Sequence, residues 1–165
     1  MRVLVTGASG FVGSVLCTNL VKKGFAVAGS CRSLPNREIT GVDYRIIANL
    51  SEDNNWSKVL SGVNAVVHCA ARVHIMQDTT HDPLEIFREV NVKGTICIAK
   101  QAVDKEVKRF IYISSVKAGG VIISNRCMSE VDQGIPKDIY GLTKREAELK
   151  VLDFRKKFNM HVAII

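Results

Sequence analysis

RVLVTGASGFVGSVLCTNLVKKG, residues 2–24, decides the fold. It opens as an apolar run of strand length, RVLVT, and stops at a cluster of glycines. Val12, Leu16, Leu20 and Val21 then recur at helical spacing until Gly24, a natural helix stop. Strand, glycine turn and helix in that order let a backbone approach a pyrophosphate and aim a helix N-terminus at it. Gly7, Gly10 and Gly13, spaced G-x-x-G-x-x-G, are the candidates for that close approach, with Ala8, Ser9, Phe11 and Val12 completing the turn.

The same rhythm continues along the chain. AVAGS (26–30) and YRIIA (44–48) read as strands, WSKVLSG (56–62) as a short helix, and NAVVHCA (64–70) as a fourth strand. Residues 82–106 read as one long helix, with Asp82 as N-cap, Pro83 at the first helical position and Glu85 three residues past the cap. RFIYISS (109–115) is a fifth strand, 116–136 an aperiodic connection, 138–158 a helix, and HVAII (161–165) a sixth strand. Strands apolar on both faces and joined by helices predict a parallel sheet covered on both sides. The expectation is one α/β domain over residues 1–165: a doubly wound parallel sheet of the NAD(P)-binding Rossmann type, six strands with helices on both faces.

Composition narrows the classes. The 165 residues are 47% hydrophobic and 24% charged, ordinary for a globular protein. No apolar run nears the ~20 residues that span a bilayer, and the N-terminus has no signal-peptide core, so a cytoplasmic protein without a membrane partner is expected. The net charge of +7 is scattered over the predicted helices without an aromatic-interleaved groove, which argues against nucleic acid. Cys17, Cys31, Cys69, Cys97 and Cys127 contain no C-x-x-C pair and read as reduced, mostly packed thiols. His68, Cys69, His74 and His81 match no metal-ligand spacing, so no metal is expected.

In a doubly wound sheet ligands bind beyond the carboxyl ends of the strands. After the second strand, Cys31-Arg32 replaces the acid that commonly holds the ribose hydroxyls of NAD, and Arg32 favours the 2′-phosphate of NADP. Asn49 and Leu50 follow the third strand, near the adenine. Ala70 and Ala71, with Arg72 beside them, leave room for a flat cofactor after the fourth. Ser114 and Ser115 offer hydroxyls after the fifth. Tyr140 and Lys144, four apart, share one face at the start of the last helix. A phenol is a weak base at neutral pH, but a nearby ammonium and the positive end of a helix favour its phenolate. Tyr140 can then exchange a proton with a substrate alcohol while hydride moves to or from a nicotinamide, and Ser115 can hydrogen-bond the substrate oxygen.

The motifs TGASGFVG, VVHCAA, NVKGT (91–95), VKRFIYISS (107–115) and YGLTK resemble, in order and spacing, the extended short-chain dehydrogenase/reductases. The likeness is greatest to the NAD-dependent epimerase/dehydratase group acting on nucleotide sugars. The resemblance implies Tyr140 as acid/base, Lys144 as its electrostatic partner and cofactor ligand, Ser115 as the catalytic serine and Asn91 as a structural asparagine that adjoins the cofactor. It implies NAD or NADP, a nucleotide-sugar substrate and a homodimer through the central helix and that of Tyr140. Epimerisation like that of UDP-glucose, or 4-keto-sugar reduction, in polysaccharide synthesis is the leading expectation. An NADPH-dependent reductase of another carbonyl, or a non-catalytic dinucleotide sensor or remnant, stands beside it. Asn49 departs from the Asp of many relatives, and HVAII ends where relatives usually run on into a substrate-binding C-terminal region, which is expected to be absent from this chain.

Overall fold

Arg2–Thr6 (β1) lies at the centre of the sheet, paired in parallel with Ala26–Cys31 (β2) on one side and Ala65–His68 (β4) on the other. The computed structural model describes residues 1–73, 82–120, 129, 132 and 134–165, with Val42–Ile46 as β3, Arg109–Tyr112 as β5 and His161–Ile164 as β6. The six parallel strands run in the order β3-β2-β1-β4-β5-β6. His74, His81 and Cys127, weighed above as ligands or thiols, lie outside the described residues. The strand order reverses between β1 and β4, which opens a crevice at their carboxyl ends.

The apolar runs of the central strands follow from burial on two faces. Leu4, Ala28, Val66, Phe110 and Val162 point to one side and pack with Ile98, Ala147 and Val151. Val3, Val5, Val27 and Ala65 point to the other, against Cys17, Leu16 and Leu20 of Phe11–Lys22 (α1). The doubly wound α/β sheet expected from the sequence is the fold observed.

The sequence reading is corrected in four places. The third strand begins at Val42, paired with Val27, and not at Tyr44; its burial is partial because β2 is its single partner and Asp43 and Arg45 form an ion pair. Residues 56–62 form turns, not a helix. Trp56, Val59 and Leu60 are spaced to enter the core, while the Trp56 N–H goes to Gln101 Oε1 (2.7 Å) and Arg45 Nη1 takes the Val59 carbonyl (2.6 Å). The long central helix is interrupted: Pro83–Arg88 (α2) and Gly94–Asp104 (α3) flank a π-helical turn, Glu89–Lys93. Its start is as expected, with the Glu85 N–H donating to Asp82 (3.1 Å). Finally, the fourth and fifth strands stop at His68 and Tyr112, so that residues 69–73 and 113–115 become loops at the sheet's edge.

Ile139–Lys157 forms α4, whose N-cap Asp138 accepts from the Gly141 N–H (2.7 Å). Among the described residues no helix is long and apolar enough to cross a membrane.

Candidate active site

A cleft of about 1010 Å³ opens along the carboxyl edge of the sheet, and every strand-end segment singled out above reaches it. Gly7, Ser9, Gly10, Phe11, Val12 and Gly13 line its floor. Gly7 adopts φ +66°, a region that favours glycine, and its carbonyl accepts from Gly10 N–H (2.9 Å). A Cβ on Gly13 would stand 2.1 Å from the Gly7 carbonyl oxygen, and one on Gly7 would stand 3.0 Å from Ala70 Cα. Glycine at these positions lets the turn fold tightly on itself and against Ala70, while Ser9, Phe11 and Val12 border it in the cleft. The first turn of α1 carries no acidic residue and no side-chain cap, leaving its N–H groups for an anion. Ala8 stays behind the turn, fully buried, its N–H donating to the Ser30 carbonyl (3.0 Å).

Arg32 is exposed and lines the cleft beyond β2; Asn49 and Leu50 line it beyond β3; Ala70, Ala71 and Arg72 line it beyond β4. Asn91 does not reach the cleft. Its amide, 1% exposed, accepts from the Arg72 N–H (2.7 Å), donates to the Arg72 carbonyl (3.0 Å) and contacts Thr143 Oγ1 (3.1 Å). The π turn brings it there while Glu89 and Val90, for which the sequence carried no signal, face the cleft.

Tyr140 and Lys144 line the cleft from consecutive turns of α4. The end of that helix is pressed onto the Val116–Gly119 3₁₀ turn: a Cβ on Gly141 would meet the Lys117 carbonyl oxygen at 2.6 Å, and Lys117 Nζ pairs with Asp138 (2.6 Å). Lys144 is 2% exposed. Its Nζ donates to the Ile113 carbonyl (2.6 Å) and lies 3.9 Å from the centre of the Tyr112 ring. Burial lowers its pKa to about 8 against the opposing pull of Glu148, then Cys69.

The two serines have different fates. Ser114 lines the cleft, and its hydroxyl donates to Glu148, which also pairs with Arg145 (3.1 Å). Ser115 sits just outside the lining as N-cap of the 3₁₀ turn, with Oγ accepting from the Lys117 N–H (3.3 Å); its own proton meets no acceptor among the described residues. Cys31, Trp56, Cys69 and Ile113 also line the cleft and were not expected there. Cys31, Cys69 and Ile113 lie at strand ends, which hinted at it; Trp56 follows no strand and carried no signal. Burial pushes the Cys69 thiol up to about 11, against the pull of Lys144, so it is a poor nucleophile. Among the described residues no cluster of three or more His, Cys, Asp or Glu could hold a metal.

Beneath the cleft, His68 is fully buried between Thr6 (Nδ1 to Oγ1, 2.8 Å) and Thr95 (Nε2 to Oγ1, 3.0 Å), its ring stacked on Tyr112 at 5.9 Å. Burial, helped by the charge of Lys144, holds its pKa down to about 3, so the imidazole is neutral.

Residues 3–165 match the model of the NAD dependent epimerase/dehydratase family. A UDP-glucose 4-epimerase of Vibrio cholerae is 39% identical over 165 residues, covering 99% of this chain and 50% of that protein. A dihydroflavonol 4-reductase of Hordeum vulgare is 33% identical over 148 residues, 83% of this chain and 40% of its own length. The crystal structure of a UDP-glucuronic acid 4-epimerase from Bacillus cereus in complex with NAD superposes with a TM-score of 0.82 at 25% identity, over 99% of this chain and 55% of that one. The chain thus spans about half the length of the relatives it matches.

Proposed function

We propose that this chain, which belongs to the NAD dependent epimerase/dehydratase family, supplies the dinucleotide-binding and acid/base part of an enzyme that epimerises or reduces a nucleotide sugar. One observation carries the reading: a single cleft joins the glycine turn of Gly7, Gly10 and Gly13 to Tyr140 and Lys144.

The site fits a dinucleotide. The glycines let the turn close tightly before α1, and the open amides of the first turn of α1 face the cleft. Ala70 and Ala71 leave the wall opposite flat, and Arg32 stands where an adenosine 2′-phosphate would meet it. Bound there, a nicotinamide would supply the hydride acceptor or donor.

The remaining steps belong to the chain. Tyr140 takes the proton from a sugar hydroxyl as it becomes a carbonyl, and returns it in the reverse direction. Lys144, protonated below about pH 8, sets a positive charge one helical turn from Tyr140 and holds the ribose beside it. Ser115 donates its uncommitted proton to the substrate oxygen, a task for which Ser114 is poorly suited because Glu148 already takes its hydroxyl. The V. cholerae relative, a UDP-glucose 4-epimerase, supports a UDP-sugar as the substrate. The plant relative, a dihydroflavonol 4-reductase, supports the second reading, NADPH-dependent reduction of another carbonyl.

The test is turnover of the complete protein with UDP-glucose, UDP-glucuronic acid and a flavonoid ketone, each with NAD(H) or NADP(H). Tyr140→Phe is expected to lower turnover by at least ~100-fold while leaving cofactor affinity within a few-fold. Unchanged turnover in Tyr140→Phe would overturn the assignment, and conversion of the flavonoid alone would favour the second reading.

A further inference from the structure

Four buried polar side chains run beneath the cleft from its glycine turn to α4, and their hydrogen bonds can be assigned by counting. Thr6 Oγ1 accepts from the N–H groups of Cys69 and Ala70, both at 3.1 Å, which uses its two lone pairs. Its one proton is left for His68 Nδ1, 2.8 Å away, so Nδ1 is an acceptor and the ring proton sits on Nε2. The other end agrees. Thr95 Oγ1 donates to the Asn91 carbonyl (2.7 Å) and can accept from His68 Nε2–H at 3.0 Å. Asn91 clamps the backbone of Arg72 on both sides and touches Thr143, whose hydroxyl faces the carbonyls of Ile139 (3.0 Å) and Tyr140 (3.1 Å).

From this count we infer that Thr6, His68 and Thr95 form a one-directional hydrogen-bond relay that positions the cleft wall, residues 69–72, for dinucleotide binding. Nothing in the proposed chemistry uses His68, yet its imidazole is fully buried beneath the site. The relay turns the Cys69 and Ala70 amides away from the cleft and into Thr6, and it fixes Ala70 close enough to Gly7 that a methyl on the glycine would stand 3.0 Å from Ala70 Cα. A buried donor left unpaired is costly, so the wall has one favourable position. Through Asn91 the same wall is registered to the turn of α4 that carries Tyr140. Thr6, His68 and Thr95 are thus positioning residues.

The inference rests on the cleft being a dinucleotide site, and its test separates the two. In the ¹⁵N spectrum of the purified protein, the His68 resonances, identified by their loss in His68→Gln, are expected to show a proton on Nε2 and none on Nδ1, unchanged from mildly acidic to neutral pH. Thr6→Val, nearly isosteric, removes both the acceptor of the two amides and the donor to Nδ1. It is expected to weaken binding of NAD or NADP, whichever the wild type prefers, by roughly 10-fold or more in samples that remain folded by circular dichroism. Thr6→Ser restores the hydroxyl and is expected to bind within about 3-fold of the wild type. A proton on Nδ1 overturns the relay whatever the cofactor result. Equal affinity in Thr6→Val and wild type overturns its positioning role. If the wild type binds neither dinucleotide, the cleft assignment and the positioning role fall together, while the ring-proton assignment still decides the relay.

Discussion

Replacing Lys144 by methionine separates the cost of a buried charge from its use. The folded environment lowers the ammonium from 10.5 to about 8, a difference equivalent to about 3 kcal/mol against the charged form. Below pH 8 folded and unfolded lysines are both protonated, and the whole cost is present. Between about 8 and 10.5 the folded lysine gives up its proton while the unfolded one keeps it, so stability rises with pH over that window. By pH 9 the relief amounts to about 1.4 kcal/mol relative to pH 7. Cys17 and Cys69, both raised to about 11, work the other way as pH passes the ordinary thiol value, because only the unfolded thiols ionise. The informative quantity is therefore the difference between wild type and Lys144→Met. At pH 7 the variant escapes the desolvation cost but loses a charge-assisted bond to the Ile113 carbonyl and the contact with the Tyr112 ring, together worth a similar ~3 kcal/mol. Near-equal stability at pH 7 is the expected balance. Urea unfolding at pH 7 and pH 9 should show wild type gaining about 1.4 kcal/mol on the variant. A gain of zero, or a loss, would refute the claim that this ammonium is held out of water.

Two substitutions test the cofactor end of the cleft. Gly13→Ala puts a methyl 2.1 Å from the Gly7 carbonyl oxygen, where no flexible side chain can yield; dinucleotide binding measured by fluorescence titration should fall by at least ~10-fold, with stability lowered by about 1–3 kcal/mol. Arg32→Ser should weaken NADP(H) by roughly 10-fold and leave NAD(H) within about 2-fold. Equal effects on both cofactors would remove the reason for favouring NADP.

The parts of the fold legible in the sequence are those where one physical cause dominates a stretch. Val3, Leu4 and Val5 had to be buried on two faces, and glycines had to follow, so β1 and the turn beyond it could be read directly. Residues 56–62 misled because the spacing that buries Trp56, Val59 and Leu60 also suits a helix. The stretch instead runs as turns, with the Trp56 backbone N–H held by Gln101 and the Val59 carbonyl by Arg45, 45 and 14 residues distant. The π turn at Glu89–Lys93 was invisible for a related reason. No local residue type demands it, and its visible consequence is a distant bond from Asn91 to Arg72.

The adjacent serines show where reading by position stops. Ser114 and Ser115 are indistinguishable as residues at the end of an apolar run, and the family resemblance prefers the second. The structure supplies a physical ground for treating them differently. The Ser114 hydroxyl is held by Glu148, a carboxylate that Arg145 also engages and that opposes the loss of charge on Lys144. A hydroxyl so engaged must break a bond to an anion before it can serve a substrate, whereas Ser115 accepts a single backbone N–H and keeps its proton. Ser114 and Glu148 thus tie the end of β5 to α4 one turn beyond Lys144, and Ser115 keeps the uncommitted proton on which its proposed role depends.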